Sequence, residues 1–465
     1  GSGAGGATAA VQLARSGADV VLVEAGPWRM PSDYPHSMYG WMRDMVSNWN
    51  TTIAIGRAFW PVVQASVVGG TTSINSAIAV RTPGDIFPEW QRDHGIFHDG
   101  EGEALWRHQD AIEEELHVSM TAPPSMGRSN DLAEVGARKL GYHDHAMLRY
   151  VRDCAGTGRC LQGCKENRKQ SLNVTYVPEM IRHGGRLLSC APVKRVRFAG
   201  SRATGVEGHF QHPTNRQRGA AFEVRAKHAV IVAASVLQSP LILKRSGIRS
   251  RMLGRAFQAH PGTGVFGAYD EPVYLNTGAT QGWSSTTFRE DEGFKLETLS
   301  IPLELIAGRL KGSGTALMER VGRYPNLAMW VAAIRAETHG RVRASLTGKP
   351  IIHYSASRAD MVRLRQGLFR VAEMHVAAGA TKIIPGIVGL PYELEPSEIH
   401  RIADGPLDPR AYIALLTHLF GGCIMGADPS KSVCDGDGVV HHTDNLLIAD
   451  ASCIPTTIGV NPQHT

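Results

Sequence analysis

The sequence holds no run of about eighteen apolar residues, so no segment reads as a membrane-spanning helix. It holds no internal repeat and no low-complexity tract, which excludes a repeat array. It also lacks a block of like charge. Lys and Arg total 49 against 43 Asp and Glu, and the net charge of +6 comes from scattered Arg, so nothing marks a nucleic-acid-binding face. Cysteine is sparse and odd in number: seven in 465 residues, three of them crowded between 154 and 164. That excludes a secreted disulfide framework and points to a reducing compartment or a metal site, so the expected location is cytoplasmic. No signal peptide is visible, and a chain that begins inside a motif does not show whether one precedes it. The remainder is ordinary, with 43% hydrophobic and 20% charged residues and a slight excess of glycine. It suffices for a large core and two or three domains.

The motif at the start is G-x-G-x-x-G, formed by Gly1, Gly3 and Gly6. Ala7 to Arg15 has helical propensity and stops at Ser16-Gly17; ADVVLVEAG then reads as a short buried strand ending at Glu24. Glycines let the backbone approach a pyrophosphate, a helix N-terminus supplies N–H groups and positive dipole, and an acid at this spacing takes a ribose hydroxyl. The pattern predicts dinucleotide binding without separating NAD from FAD. Gly26-Pro27 after the acid leans towards a flavoprotein.

Further along, residues 67–83 (VVGGTTSINSAIAVRTP) form a second small-residue loop with a helix-like continuation. Residues 186–248 read as a strand, a hairpin of alternating residues, the buried strand HAVIVAA and a helix ending at Gly247. Several β-like runs between 266 and 355, among them LAMWVAAIRAE and RVRASL, predict an antiparallel sheet. Residues 357–379 form an amphipathic helix closed by Gly379, and NLLIADAS is a last buried strand. The order is nucleotide fold, insertion, nucleotide fold.

These pieces, in order, resemble the glucose–methanol–choline flavoprotein oxidoreductases over nearly the whole chain: GSGAGG with Glu24, VVGGTTSIN, HAVIVAASVLQSPLILKRSGI, LGRAFQAHP, HLFGGCIMG and NLLIADASCIPTTIGVNP. The resemblance implies an α/β fold (α+β overall), a Rossmann-like FAD-binding domain with a discontinuous substrate-binding domain built on an antiparallel sheet. FAD binding falls to 1–90, 151–265 and 411–465, the last also catalytic; 91–150 is a substrate or cap segment and 266–410 the substrate-binding domain. Gly1, Gly3, Gly6 and Glu24 are expected to hold the ADP half of FAD. Gly69, Gly70, Thr71, Ser73 and Asn75 are expected alongside the pyrophosphate and flavin, Val193 at the adenine, and Asp450 and Ala451 near the ribityl chain. Asn461 and Pro462 complete the cofactor positions. Ile74 stands where some relatives carry a covalently attached His, so FAD is expected to be non-covalent. Ser235 stands where the family pattern has Gly.

Oxidising an alcohol takes a proton from oxygen and a hydride from carbon. The flavin takes the hydride, and a neutral His suits the proton. His418 matches the family's active-site His and is expected to be the base. Asn461 matches its partner and is expected to donate to the substrate oxygen. His464 is the rival for that second role, and His260 is expected to order a turn. The function expected is oxidation of an alcohol CH–OH group, a dehydrogenase favoured over an oxidase, with a small-molecule alcohol as substrate and an electron-acceptor protein as a candidate partner. A lyase of the hydroxynitrile type, without net redox, and an inactive fragment are the alternatives. The apolar runs NLAMWVAAI and LSIPLELIAG lean towards a bulky or apolar alcohol.

Cys154, Cys160 and Cys164, spaced C-x5-C-x3-C, offer thiolates to an iron–sulfur cluster of the kind some bacterial sugar dehydrogenases of this family carry. A metal-free structural loop is the favoured reading, since the Pro-rich context of cluster loops is missing. The family also places a strand before Gly1 and a helix after NPQHT, so the resemblance implies a piece of a longer protein that binds FAD poorly by itself.

Overall fold

The structure is a computed structural model that describes every residue except Asp144. Its first helix, Ala4–Arg15, buries Gly6, Ala7, Ala10, Val11 and Ala14 on one face and closes at Ser16 and the left-handed Gly17. That face is small by design, because short side chains let the helix lie close to the strand Val21–Val23 and the helix Tyr176–Arg182. Tyr176, Val177 and Met180 fill the space between, and burying side chains of this size contributes roughly 2 kcal/mol each. Val21–Val23 pairs in parallel with Arg186–Leu188, and Val230–Val232 pairs in parallel with Leu446–Ile448. Gly1 lies between the ends of the two pairs: its amino group donates to Val23 O, and its Cβ direction faces Ala233 O. Segments far apart in the chain thus build two parallel strand pairs of Rossmann-like kind on either side of Gly1. The expected hairpin is a three-stranded antiparallel sheet of Val193–Ala199, Arg202–Gln211 and Arg218–Arg225.

The second layer is antiparallel. Among the described residues, Gln258–Ala268 pairs with Leu327–Ile334, Lys382–Ile384 and Leu415–Phe420, and the sheet continues through Phe294–Thr298, Trp283–Ser285 and His145–Ala146. The helix Arg358–Ala377 covers it. Ser357 accepts from Asp360 N while the Asp360 carboxylate accepts from Ser357 N, a capping box that fixes where the helix starts. Leu364, Leu368, Val371 and Met374 of this helix pack on the sheet.

Three expectations change. The continuation of residues 67–83 is a single 3-10 turn, Gly70–Ser73, followed by extended chain. RVRASL leaves the antiparallel sheet: Arg341–Ala344 joins Pro350–His353, Ile53–Ile55 and Phe59–Pro61 in a separate mixed sheet. Leu327–Ile334 is core on both faces, with Ala328 and Trp330 in the cluster under the helix and Met329 and Val331 packed with Ile301 and Ile306. The run NLAMWVAAI is thus core, whereas LSIPLELIAG buries Ile301 and Ile306 and leaves Leu303 and Leu305 exposed. Among the described residues no helix is long and apolar enough to cross a membrane.

Candidate active site and cofactor cradle

Around the first loop the glycines do different work. A Cβ on Gly1 would strike Ala233 O, one on Gly5 would strike Ala449 O, and one on Gly6 would strike Gly1 O. These three allow backbone to touch backbone. Gly3 is the exception, since nothing lies within 4 Å of its Cβ direction. It is the N-cap of the first helix, and no side chain caps that helix. An uncapped N-terminus beside an open glycine suits a phosphate group.

Glu24 is buried and firmly placed. One carboxylate oxygen accepts from Ser2 N and Ser2 Oγ, both at 2.8 Å, and the other accepts from Gly26 N at 2.7 Å. Ser2 Oγ in turn accepts from Gly69 N at 3.0 Å, which ties the second loop to the first. Gly69 and Gly70 have φ of 88° and 54°, and a Cβ on Gly70 would lie 2.7 Å from Gly3 Cα. Only glycine fits both constraints there. Val193 opens its strand two residues after Ala191, whose N–H donates to Glu24 O at 2.8 Å, so it lies at the acid end of the cradle.

The other expected cofactor residues divide. Thr71 is exposed. Ser73 is turned inwards: its hydroxyl bonds Val68 O at 3.1 Å and Asn173 Oδ1 at 3.2 Å, so only its backbone is left to face the cradle. Asn75 accepts from Ala77 N at 3.0 Å and bonds Gln463 through its amide. The Asp450 carboxylate accepts from Ser235 N (2.8 Å), Ser239 Oγ (2.5 Å) and Ser452 N (2.7 Å), which makes it an anchor between the last strand and the helix Ser235–Arg245. Ala451 O accepts from Gly421 N at 3.1 Å, and Pro462 opens the 3-10 turn Pro462–His464. Two arginines not expected from the sequence complete the acid end. Arg29 Nε and one terminal nitrogen of Arg216 are buried without a hydrogen-bond partner, donors that a polar ligand would satisfy. Burial lowers the Arg216 pKa, while Glu24, Cys190 and Asp44 oppose that shift.

The catalytic candidates come together from three strands and a turn. His418, in Leu415–Phe420, has φ 51°, a left-handed conformation that costs a non-glycine residue roughly 1–2 kcal/mol and is typical of functional positions. Its Nε2 is 3.1 Å from Asn461 Nδ2 and its Nδ1 is 3.2 Å from His260 Nδ1. His260, expected to order a turn, bonds the bend at Gly459 from within a strand. It sits inside Gln258–Ala268, buried, and its Nε2 accepts from Gly459 N at 3.1 Å. Lys295 donates to Asn461 Oδ1, which turns the amide so that its NH2 faces His418. Lys295 and Glu297, 2% and 3% exposed, form an ion pair at 2.5 Å.

Proton logic follows from these contacts. Gly459 N–H requires a lone pair on His260 Nε2, so the His260 proton is on Nδ1 and points at His418 Nδ1. His418 then carries its proton on Nε2, beside the Asn461 NH2 group. Two donors converge on one point, an arrangement that suits an alkoxide or carbonyl oxygen. With the proton moved to Nδ1, the same ring presents a basic Nε2. Burial lowers the His418 pKa to about 4, opposed by Glu297, and lowers that of His260 well below its ordinary value. Both rings are therefore neutral at pH 7. His464 is removed as a rival, because its two nitrogens are engaged by Tyr150 Oη and by Glu113 at 3.0 Å.

The cysteines do not form a metal cradle. Among the described residues no group of three or more His, Cys, Asp or Glu side chains is placed to hold a metal ion. Instead the Arg149 guanidinium enters the cluster, 3.6 Å from Cys154 Sγ and 3.0 Å from Cys160 Sγ. The guanidinium bonds two of the three sulfurs, and the geometry does not support the iron–sulfur candidate. Cys423, Cys434 and Cys453 are buried, and burial pushes each of their thiols up, as expected of packing residues.

Comparison with known proteins agrees with this geometry. Sequence profiles described as GMC oxidoreductase match residues 4–262 and 336–465. An uncharacterized GMC-type oxidoreductase of Sinorhizobium fredii is 30% identical, the alignment covering 100% of this chain and 91% of the relative. A long-chain-alcohol oxidase of Arabidopsis thaliana is 26% identical, and the alignment spans 64% of its length. The crystal structure of pyridoxine 4-oxidase from Mesorbium loti superposes with a TM-score of 0.73 at 16% identity, covering 100% of this chain and 95% of that one. The chain belongs to the GMC oxidoreductase family.

Proposed function

We propose that this protein is an FAD-dependent oxidoreductase that oxidises an alcohol CH–OH group with His418 as base. The observation that carries the reading is the His418–Asn461 pair, whose side-chain nitrogens lie 3.1 Å apart beside the glycine-rich cradle. Gly1, Gly3, Gly6 and Glu24 would hold the ADP half of FAD, with Arg29 and Arg216 completing the acid end. Gly69, Gly70, Thr71 and the backbone of Ser73 and Asn75 would border its middle. When bound, FAD supplies the acceptor for the hydride. His418, with its proton on Nδ1, takes the hydroxyl proton on Nε2. Asn461 Nδ2 donates to the same oxygen and holds the charge that develops there. Lys295 keeps the amide turned for this, and its positive charge favours an anionic oxygen nearby.

The long-chain-alcohol oxidase and the pyridoxine 4-oxidase named above are both oxidases, which supports dioxygen as the first acceptor to test against the dehydrogenase reading. The deciding experiment mixes alcohols with the yellow protein under anaerobic conditions and follows bleaching of the flavin band. Bleaching by an alcohol in the wild type, lost by two to four orders of magnitude in His418→Ala while flavin stays bound, is the expected result. A flavin that stays oxidised while the substrate is cleaved would replace this reading with the lyase.

A further inference from the structure

Behind the second cofactor loop lie two cations with no visible counter-charge. Arg149, in Leu148–Tyr150, is 0% exposed, and Lys169 is 2% exposed. Neither pairs with a carboxylate among the described residues, and the thiol of Cys160 acts on both. Lys169 Nζ donates to Ser73 O, Asn75 O and Cys160 O at 2.8–3.0 Å, and Arg149 Nε donates to Ser76 O at 3.2 Å. The two cations thus anchor the backbone of residues 73–76 from below.

Buried charge without a partner is too costly to keep. Carbonyls and the Thr121 hydroxyl satisfy hydrogen bonds here, but they leave two positive charges uncompensated. Cys160 Sγ sits 3.0 Å from the Arg149 guanidinium and is offered only donors, a short contact of the charge-assisted kind. Cys154 and Cys164 line the same small cleft, with Glu166 and Arg168 at its exposed mouth and Thr280 Oγ1 accepting from Cys160 N.

We propose that Cys160 is a resident thiolate, the anionic partner of Arg149 and Lys169, and that this cluster positions the 73–76 backbone of the cofactor loop. Burial alone would push the Cys160 thiol up; Arg149 and Lys169 outweigh it and pull the thiol below its ordinary value. Cys160 is a positioning residue, acting through the two cations. The link to the cofactor rests on the FAD reading above, whereas the charge on sulfur and the order of the loop do not.

The test uses the full chain with two readouts. In the ultraviolet thiolate band, the wild type is expected to show one thiolate at pH 7 that Cys160→Ser and Cys160→Asp both lack. In amide hydrogen exchange, residues 69–76 are expected to exchange about tenfold faster in Cys160→Ser, and at nearly the wild-type rate in Cys160→Asp, which restores the charge without the sulfur. If Cys160→Ser does not fold, the wild type and Cys160→Asp still decide, the first by its thiolate and the second by its loop. Absence of the thiolate signal, a loop unaffected by Cys160→Ser, a loop loosened equally by Cys160→Asp, or stoichiometric iron or zinc in the purified protein would each overturn the proposal. Failure of the wild type to hold FAD would refute the cofactor reading and leave both readouts valid.

Discussion

His260 Nδ1 lies 3.2 Å from His418 Nδ1, and Gly459 N–H occupies the far nitrogen of the same His260 ring. The pair shares one mobile proton, so His260 decides which nitrogen of His418 faces the substrate. Presenting a basic Nε2 requires the proton on His418 Nδ1 and gives up the Gly459 bond, a cost of about 1 kcal/mol. His260 also keeps water from His418. The wild-type acid limb of kcat/KM should therefore fall with a pKa near 4, since burial holds His418 down. In His260→Ala, water entering the gap should raise that limb towards the ordinary histidine value and lower kcat by at least tenfold. A pH–rate profile with an unmoved acid limb would show that His260 does not act through His418.

Lys295 is the next group whose loss has a calculable sign. Lys295→Met leaves Glu297 buried and unpaired, which costs about 3–5 kcal/mol of stability. It also frees the Asn461 amide, so kcat should drop more than KM changes. Adding Glu297→Gln should restore most of the stability without restoring kcat. Thermal melts and steady-state kinetics on the three variants separate the two effects.

Ser235, where the family pattern has Gly, has φ 81° at the start of Ser235–Arg245. An L side chain is strained there, and the hydroxyl's one visible return is a bond from Gln64 Nε2. Ser235→Gly should stabilise the protein by about 1 kcal/mol, read as a higher denaturant midpoint at unchanged slope.

Stability should fall on acidification above the range where carboxylates titrate. Burial lowers the pKa of His375 to about 3 and of His418 to about 4, and takes His260 well below its ordinary value. Each of these groups binds a proton more readily unfolded than folded. The stability they contribute is full above pH 6.5 and is lost as pH falls through their folded values. His375 alone, fully buried and stacked 3.7 Å from Trp330, accounts for on the order of 4 kcal/mol. His375→Phe keeps the stacking and removes the proton, so its melting temperature should vary less between pH 6.5 and 4 than that of the wild type.

Local chemistry was legible wherever the chain itself supplies the reason. The glycine turn before Glu24, the helix over 357–379 and the segments that carry His418 and Asn461 are visible in neighbouring residues, and the structure brings the last two together. The misreadings have physical causes. The helix-like continuation expected within 67–83 is a single turn, because Lys169 takes the Ser73 and Asn75 carbonyls that a helix would use. Lys295 and Glu297 are not legible because charged residues in FKLET carry no local sign of burial, and only the packed sheet encloses them. Arg216 is brought to Arg29 and Glu24 by the hairpin between Arg202–Gln211 and Arg218–Arg225, which no local pattern announces.

The two ends of the glycine turn make opposite predictions and so test the cradle itself. A Cβ on Gly6 would strike Gly1 O and Ala233 Cβ, both fixed in the parallel layer, so Gly6→Ala should destabilise the fold by several kcal/mol. Gly3 has φ −68°, which alanine adopts freely, and its Cβ direction is open. Gly3→Ala should therefore fold and melt like the wild type. If a pyrophosphate approaches this helix N-terminus, the added methyl stands in its way, and FAD affinity should drop at least tenfold. Equilibrium flavin binding on the folded Gly3→Ala protein measures this directly, and undiminished affinity would move the cofactor away from the first loop.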